Sequence, residues 1–394
     1  MEKLRLADLC SQDSLSLIFS SAFVGIGGAF VVTTLSLFLF QEVGVSALWV
    51  GIFFAVRALS EILADLVIGY LSECHYKRHS IGILCALLSG CGAIVLMYMR
   101  DYYILMIGSV IFFGLGGAIF PQLFALTRDV AENKHINVSG FNAVVRSMTS
   151  ASWVLGPPIA FLLIDIASFT LLYGMAALCY FSAALALLLG KFKKNSSPAE
   201  KVRFQWSLLT PRSYGIIAFV LLLLSVNMVY QINIALYISQ ELQLPASVIG
   251  LVVGMGSALE IPLILLFGML ANRLSKNTLL IFGAVNACLF FLLLSVSESI
   301  LALILIQIPN AIWVSIALSL PIVMLQDELK QFHGMASSLF SSAFKFGTFF
   351  GGAVGGLLVT SLGFQHTFLL CALLSLISGL AILYSQSRKP YHAM

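Results

Sequence analysis

The sequence predicts an all-α membrane protein: twelve membrane-spanning helices in two pseudo-symmetric six-helix halves. Three observations carry that expectation. The 394 residues are 60% hydrophobic and only 10% charged, with a mean hydropathy of +1.02, where a soluble domain carries roughly 25% charged residues. The apolar residues gather into runs long enough to cross a bilayer, which takes about 20 residues. The chain also repeats at one offset, 199 residues, in its charges as well as its glycines. Glu61 recurs as Glu260, and Arg146 recurs as a base, Lys345. Gln41-Glu42 recurs as Gln240-Glu241, Gly51 as Gly250, Gly69 as Gly268 and Gly156 as Gly355. A net charge of +4 gives no reason to expect a nucleic-acid partner. Seven cysteines without a C-x-x-C spacing make neither a disulfide framework nor a zinc site.

In chain order the runs predict spans near 15–40, 47–70, 80–99, 103–126, 140–164, 168–190, 213–238, 246–271, 277–296, 299–325, 334–360 and 364–386. The first is too long for the core of a signal peptide and reads as a retained helix. The longest polar gap, 191–212, is basic and contains Pro198 and Pro211. It divides an N-terminal half, 1–190, from a C-terminal half, 213–394. With the N-terminus inside, cytoplasmic segments hold 17 of the 21 Lys and Arg, and the opposite side holds only Arg100. Arg57, Arg146 and Lys345 lie within spans. That bias predicts both termini and the linker in the cytoplasm.

The loop after span 2 contains Gly69, Leu71, Glu73, Lys77 and Arg78, and the loop after span 8 contains Gly268, Leu270, Asn272, Arg273 and Lys276. Both resemble, in degenerate form, the G-x-L-a-D-R-x-G-R/K-R/K signature of the major facilitator superfamily. Two copies in equivalent loops are far more specific than one. Glycine would let helices approach closely, and the acid and bases would clamp neighbouring helix ends as gating loops. Asn272 replaces the usual acid. In span 5, Gly156-Pro157-Pro158 partly resembles the antiporter motif of facilitator exporters.

Charge inside a span costs at least a few kcal/mol on insertion scales, so it marks function. Arg57, Glu61 and Asp65 recur every fourth residue of span 2 and share a face. Glu61 sits about 13 Å from the cytoplasmic end at 1.5 Å per residue. Arg146, Glu260 and Lys345 fall at comparable depth. The facilitator architecture packs span 2 on span 11 and span 5 on span 8, which implies two related ion pairs, Glu61 with Lys345 and Arg146 with Glu260. A carboxylate in such a pair either holds the halves together or exchanges its partner for a proton. Glu260 is the first choice for proton carrier and Glu61 the second. Asp65 reads as structural, and Arg57 either neutralises the two acids or serves the substrate. Glu42 and Glu241, at the outer ends of spans 1 and 7, read as solvated.

The same architecture lines its central cavity with spans 1, 4, 7 and 10. Span 7 carries Asn227, Tyr230, Gln231 and Asn233; span 10 carries Gln307, Asn310 and Trp313; span 4 carries Gln122; span 1 carries Thr34. Amides donate and accept hydrogen bonds, and rings cover apolar sugar faces, which suits a neutral polyhydroxylated ligand. Bonding between neighbouring helices is the competing use for each residue taken singly. The histidines show no metal-ligand grouping.

Longer strings are more specific. Thr34-Leu-Ser-Leu-Phe-Leu-Phe-Gln-Glu-Val-Gly44 with Leu48-Trp49-Val-Gly51, Pro121-Gln-Leu-Phe-Ala-Leu-Thr-Arg128, Trp153-Val-Leu-Gly156-Pro157-Pro158, Leu259-Glu260-Ile-Pro262 and Gln326-Asp327 resemble the bacterial sugar efflux transporter family. The resemblance covers nearly the whole chain. It implies a monomeric inner-membrane exporter of sugars or small glycosides, run by proton antiport, with the substrate and the lipid bilayer as its partners. No cofactor beyond a proton gradient, and no metal, is expected. Arg57, Glu61 and Asp65 depart from the family pattern, so substrate choice is expected to involve span 2. A multidrug exporter is the runner-up and a sugar-uptake symporter the third reading. An enzyme is disfavoured, because no nucleophile–base cluster stands out.

Overall fold

The computed structural model describes residues 9–74, 78–134, 136, 138–192, 209–271, 273–329 and 333–387. Among these, every long element is a helix: α1 (Gln12–Gln41), α2 (Ala47–Cys74), α3 (Arg78–Tyr98), α4 (Tyr102–Asn133), α5 (Val138–Ile166), α6 (Phe169–Leu189), α7 (Pro211–Glu241), α8 (Ala246–Leu270), α9 (Lys276–Leu294) and α10 (Ile300–Glu328). The last stretch, His333–Ser387, is continuous except at Gly363, whose φ of 78° lies in the left-handed region. Its apolar part alone runs 47 residues, about twice what a bilayer needs. Gly363 therefore divides it into α11 and α12, and the eleven apolar stretches make twelve spans.

The helix ends follow from local chemistry. Ser11, Asp101, Ser168, Thr210 and Ser299 each cap a helix by accepting a backbone N–H in the first turn. Pro211 occupies the first turn of α7, where its missing N–H costs nothing.

Contacts divide the chain into two compact units. Unit 1 comprises Met1–Val45, Val56–Ala199 and Pro245–Gly250, and unit 2 comprises Ser46–Ala55, Glu200–Leu244 and Leu251–Met394. In unit 1, α1 packs on α5 and α6, and α3 packs on α6. In unit 2, α7 packs on the α11–α12 region and α9 on α10.

The repeated glycines are explained by these contacts. A Cβ on Gly156 would fall 2.5 Å from the Ala29 Cβ, where α5 meets α1. One on Gly355 would fall 3.3 Å from Val229, where α11 meets α7. Within unit 2, Gly51 of α2 lies against Gly352 and Gly356 of α11, and an added Cβ would meet the Gly352 carbonyl at 2.8 Å. Within unit 1, Gly250 of α8 lies against Pro157 and Pro158 of α5, with a Cβ 3.0 Å from the Pro157 carbonyl. The Asp165 carboxylate fastens this second contact by accepting the Ala246 N–H at 3.1 Å and the Ser247 N–H at 2.7 Å, at the start of α8.

Gly268 differs from expectation. Among the described residues a Cβ there would meet no atom within 4 Å, so close helix approach is not its reason. Gly69 has no described surroundings. Glu42 is not simply solvated either. It accepts from Arg100 Nε at 2.9 Å, while Arg100 Nη1 donates to the carbonyls of Leu96, Met97 and Met99. That fastens the end of α1 to the end of α3.

Candidate functional site

The charges of α2 meet a break in α4. A π-helical turn, Ser109–Gly114, is followed by a non-helical turn at Gly117 and Ala118 before the helix resumes at Ile119. Such irregular turns concentrate at functional positions. A Cβ on Gly117 would lie 3.2 Å from Glu61 Cγ, and one on Gly114 would lie 2.6 Å from Ser60 Oγ. Only glycine lets α4 pass this close to the charged turn of α2. Arg57 Nε donates to Glu61 Oε1 at 2.8 Å, and the guanidinium lies 4.9 Å from the centre of the Phe113 ring. The Arg57 side chain is 12% exposed and that of Glu61 33%. Arg57 Nη1 is buried with no acceptor among the described residues. Arg57 therefore neutralises Glu61 from the same helix. Asp65, a turn further on, is half-buried. Arg146 is exposed and stands over Phe124 at 4.9 Å.

In unit 2 the equivalent acid is differently placed. Glu260 is half-buried on α8, and its backbone carbonyl accepts from Ser315 Oγ of α10 at 3.2 Å. Among the described residues of unit 2, its carboxylate forms no ion pair. Pro262 follows two residues later and cannot donate to the carbonyl of Ala258, so the helix is loosened beside the acid. Lys345 on α11 is half-buried. The expected pairs Glu61–Lys345 and Arg146–Glu260 each take one residue from either unit.

The polar residues of α7 and α10 separate into two groups rather than one stripe. Tyr230, Asn233, Gln307, Asn310 and Trp313 are all buried. Gln307 Oε1 accepts from Asn310 Nδ2 at 2.8 Å and from the Tyr230 hydroxyl at 3.4 Å, and Gln307 Nε2 donates to the Leu303 carbonyl at 3.1 Å. Gly256 of α8 leaves room for this knot, since a Cβ there would meet Gln307 Oε1 at 2.9 Å. Three atoms in the group have no partner among the described residues: Asn233 Oδ1, Asn310 Oδ1 and Trp313 Nε1. A buried polar atom left unpaired calls for water or a ligand. Asn227 and Gln231, four residues apart, form the second group, half-buried and exposed respectively. Amides on an accessible helix face within a span point to a polar path rather than lipid. In unit 1, Thr34 is fully buried and donates to the Phe30 carbonyl at 2.6 Å. Gln122 is 6% exposed, and its Oε1 has no partner among the described residues.

Comparison with known proteins places this architecture. The Major Facilitator Superfamily model matches twice, over residues 17–232 and 215–393. The chain is 30% identical to Sugar efflux transporter A of Escherichia coli (strain K12), over 90% of this chain and 91% of that one. It is also 30% identical to Sugar efflux transporter A of Dickeya chrysanthemi, over 96% and 95%. The chain belongs to the sugar efflux transporter family of the major facilitator superfamily. Among solved structures, the nucleoside transporter NupG superposes with a TM-score of 0.80 at 13% identity, over 95% of this chain and 99% of that one, which shows the shared fold. This sugar efflux family member is thus a multi-pass membrane transporter, not an enzyme.

The facilitator loops of this family member clamp through acids that the motif reading did not name. Arg78, at the start of α3, lies 3.5 Å from Asp129 near the end of α4. Lys276, at the start of α9, pairs with Asp327 near the end of α10. Glu328 holds Arg212 at 3.0 Å and accepts from Thr210 Oγ1 at 3.0 Å. Arg273 is exposed and forms no ion pair among the described residues. Lys77 and Asn272 lie outside the described residues, as does the side chain of Glu73. The missed acids had a legible signal, since Asp129 and Glu328 are again 199 residues apart in acid type. The break in α4 was also legible, in the string Gly114-Leu-Gly116-Gly117.

Proposed function

We propose that this protein exports sugars or small glycosides across the bacterial inner membrane by proton antiport, through alternating access, with both termini in the cytoplasm. The observation that carries the proposal is its 30% identity to Sugar efflux transporter A over nine-tenths of both chains. The bias of Lys and Arg to one set of loops supports the orientation. In this reading, Asn227 and Gln231 offer donors and acceptors to sugar hydroxyls, and the Tyr230–Gln307–Asn310 knot holds α7 and α10 in place behind them. Glu260 carries the proton, because an acid without an ion-pair partner in its own unit pays least to lose its charge. Arg146 is the base that answers it when the halves rock about a midplane site.

The test is counterflow in proteoliposomes with a panel of labelled neutral sugars and glycosides, with and without a pH gradient. Exchange of at least one sugar, and its uphill movement when a pH gradient is imposed, is the expected result. Failure of every sugar to exchange would remove sugar export. Exchange that ignores the gradient would remove antiport alone.

A further inference from the structure

We propose that the Arg57–Glu61 pair is itself a binding subsite for substrate hydroxyl groups, and so acts beyond charge neutralisation or proton coupling. This rests on the reading of the protein as a sugar exporter. Only one of the two Glu61 oxygens is used, Oε1, by Arg57 Nε at 2.8 Å; Oε2 accepts no hydrogen bond among the described residues. A pair serving only to cancel its own charge would be enclosed by its neighbours. Here Glu61 is one-third exposed in the middle of a span, while its partner is 12% exposed. A carboxylate at that depth faces a polar path, not lipid. The neighbouring helix turns at the same place. A Cβ on Gly117 would lie 3.2 Å from Glu61 Cγ, so the glycine puts no side chain against the carboxylate there. Phe113 holds the guanidinium from its flat face at 4.9 Å, which fixes Arg57 and through it the carboxylate.

The chemistry selects the ligand class. As the ion-pair partner of Arg57, the Glu61 side chain presents carboxylate oxygens that accept hydrogen bonds. Hydroxyl groups of a neutral sugar donate to such an oxygen in charge-assisted bonds, which are stronger than neutral ones. Nη1 of the same guanidinium, buried and without an acceptor among the described residues, is a donor left over for a second sugar oxygen. A vicinal diol fits one acceptor and one donor fixed side by side.

The experiment compares methyl β-D-glucopyranoside with its four monodeoxy analogues as competitors of counterflow in proteoliposomes. Wild type is compared with the charge-neutral double variant Arg57→Gln/Glu61→Gln, which leaves no lone buried charge. In wild type, removing one particular hydroxyl should weaken competition by about tenfold, since a site built to bond a hydroxyl rejects the analogue lacking it. In the double variant that factor should fall below about twofold while factors at the other positions persist. Glu61→Asp, which keeps the charge and withdraws the carboxylate, should reduce the same factor; it serves if the double variant does not fold. The subsite is overturned if the factor survives in these variants, or if wild type discriminates against none of the analogues. A wild type that exchanges the parent glucoside with unchanged discrimination in the variants removes only the subsite. A wild type that exchanges no sugar of the wider panel overturns the sugar reading, and the subsite with it.

Discussion

The two units repeat the same backbone solution with different side chains, and the difference separates structure from function. Glycine lets α5 approach α1 in unit 1 and α11 approach α7 in unit 2, at positions 199 residues apart. The turns that follow α1 and α7 each need one left-handed residue, again at that offset: Gly44 with φ 77° and Gln243 with φ 51°. The acids at the repeated depth are treated oppositely. Glu61 is bound by an arginine on its own helix, whereas Glu260 has no ion-pair partner in its own unit among the described residues. What the repeat preserves is close packing and turn geometry. What it varies is how each acid is held, and that is where proton and substrate roles can part.

The comparison breaks most sharply at the acids. Glu260→Gln should abolish accumulation driven by a pH gradient while leaving exchange intact, and Glu61→Gln should weaken substrate binding while what accumulation remains still responds to the gradient. Measuring uptake against exchange in proteoliposomes checks both, and uncoupling by Glu61→Gln alone would invert the assignment. The next effect is steric. Gly51→Leu forces a side chain into the Gly352 backbone and should cost about 3 kcal/mol, at the upper end for overpacking. Gly268→Leu, which meets open space, should cost under about 0.5 kcal/mol, as surface changes do. Thermal unfolding of the purified variants separates them, and equal losses would refute the packing account.

A smaller effect lies at the unit 1 pair. Glu61→Gln leaves Arg57 buried without its carboxylate and should destabilise by about 2 kcal/mol, less than for a fully buried pair because Glu61 is one-third exposed. Adding Arg57→Gln should restore part of that loss. The smallest effect is a gain. Gln243→Gly places in unit 2 the residue that unit 1 already uses and should stabilise by about 1 kcal/mol, because a side chain in left-handed backbone is strained. No rise in unfolding temperature would mean that the Gln243 side chain offsets the strain by contacts of its own.

The candidate site was only partly legible in the sequence. Glu61, Glu260, Arg146 and Lys345 stand out because ionisable residues are rare in apolar runs, and the polar members of α7 stand out the same way. The sequence groups these amides as cavity-lining because periodicity shows that residues are near one another, not which are covered. Burial then separates Tyr230, Asn233 and the α10 group from Asn227 and Gln231. The clamp acids were misplaced because the motif concentrates attention on one loop, while Asp129 and Asp327 arrive from the far ends of other helices.

The sequence by itself determined the twelve spans, the two related halves and which spans carry charge. Hydropathy, span length and a repeat at one offset are read from the chain alone and need no partner. The tertiary structure decided which groups meet: Arg57 between Glu61 and Phe113, Gly117 yielding to α2, Asp165 capping α8, and Gly51 but not Gly268 in close contact. Those are contacts between segments that are distant in the chain or turned by one helical face. Their energies depend on distances of a few tenths of an ångström, which no spacing in the sequence encodes.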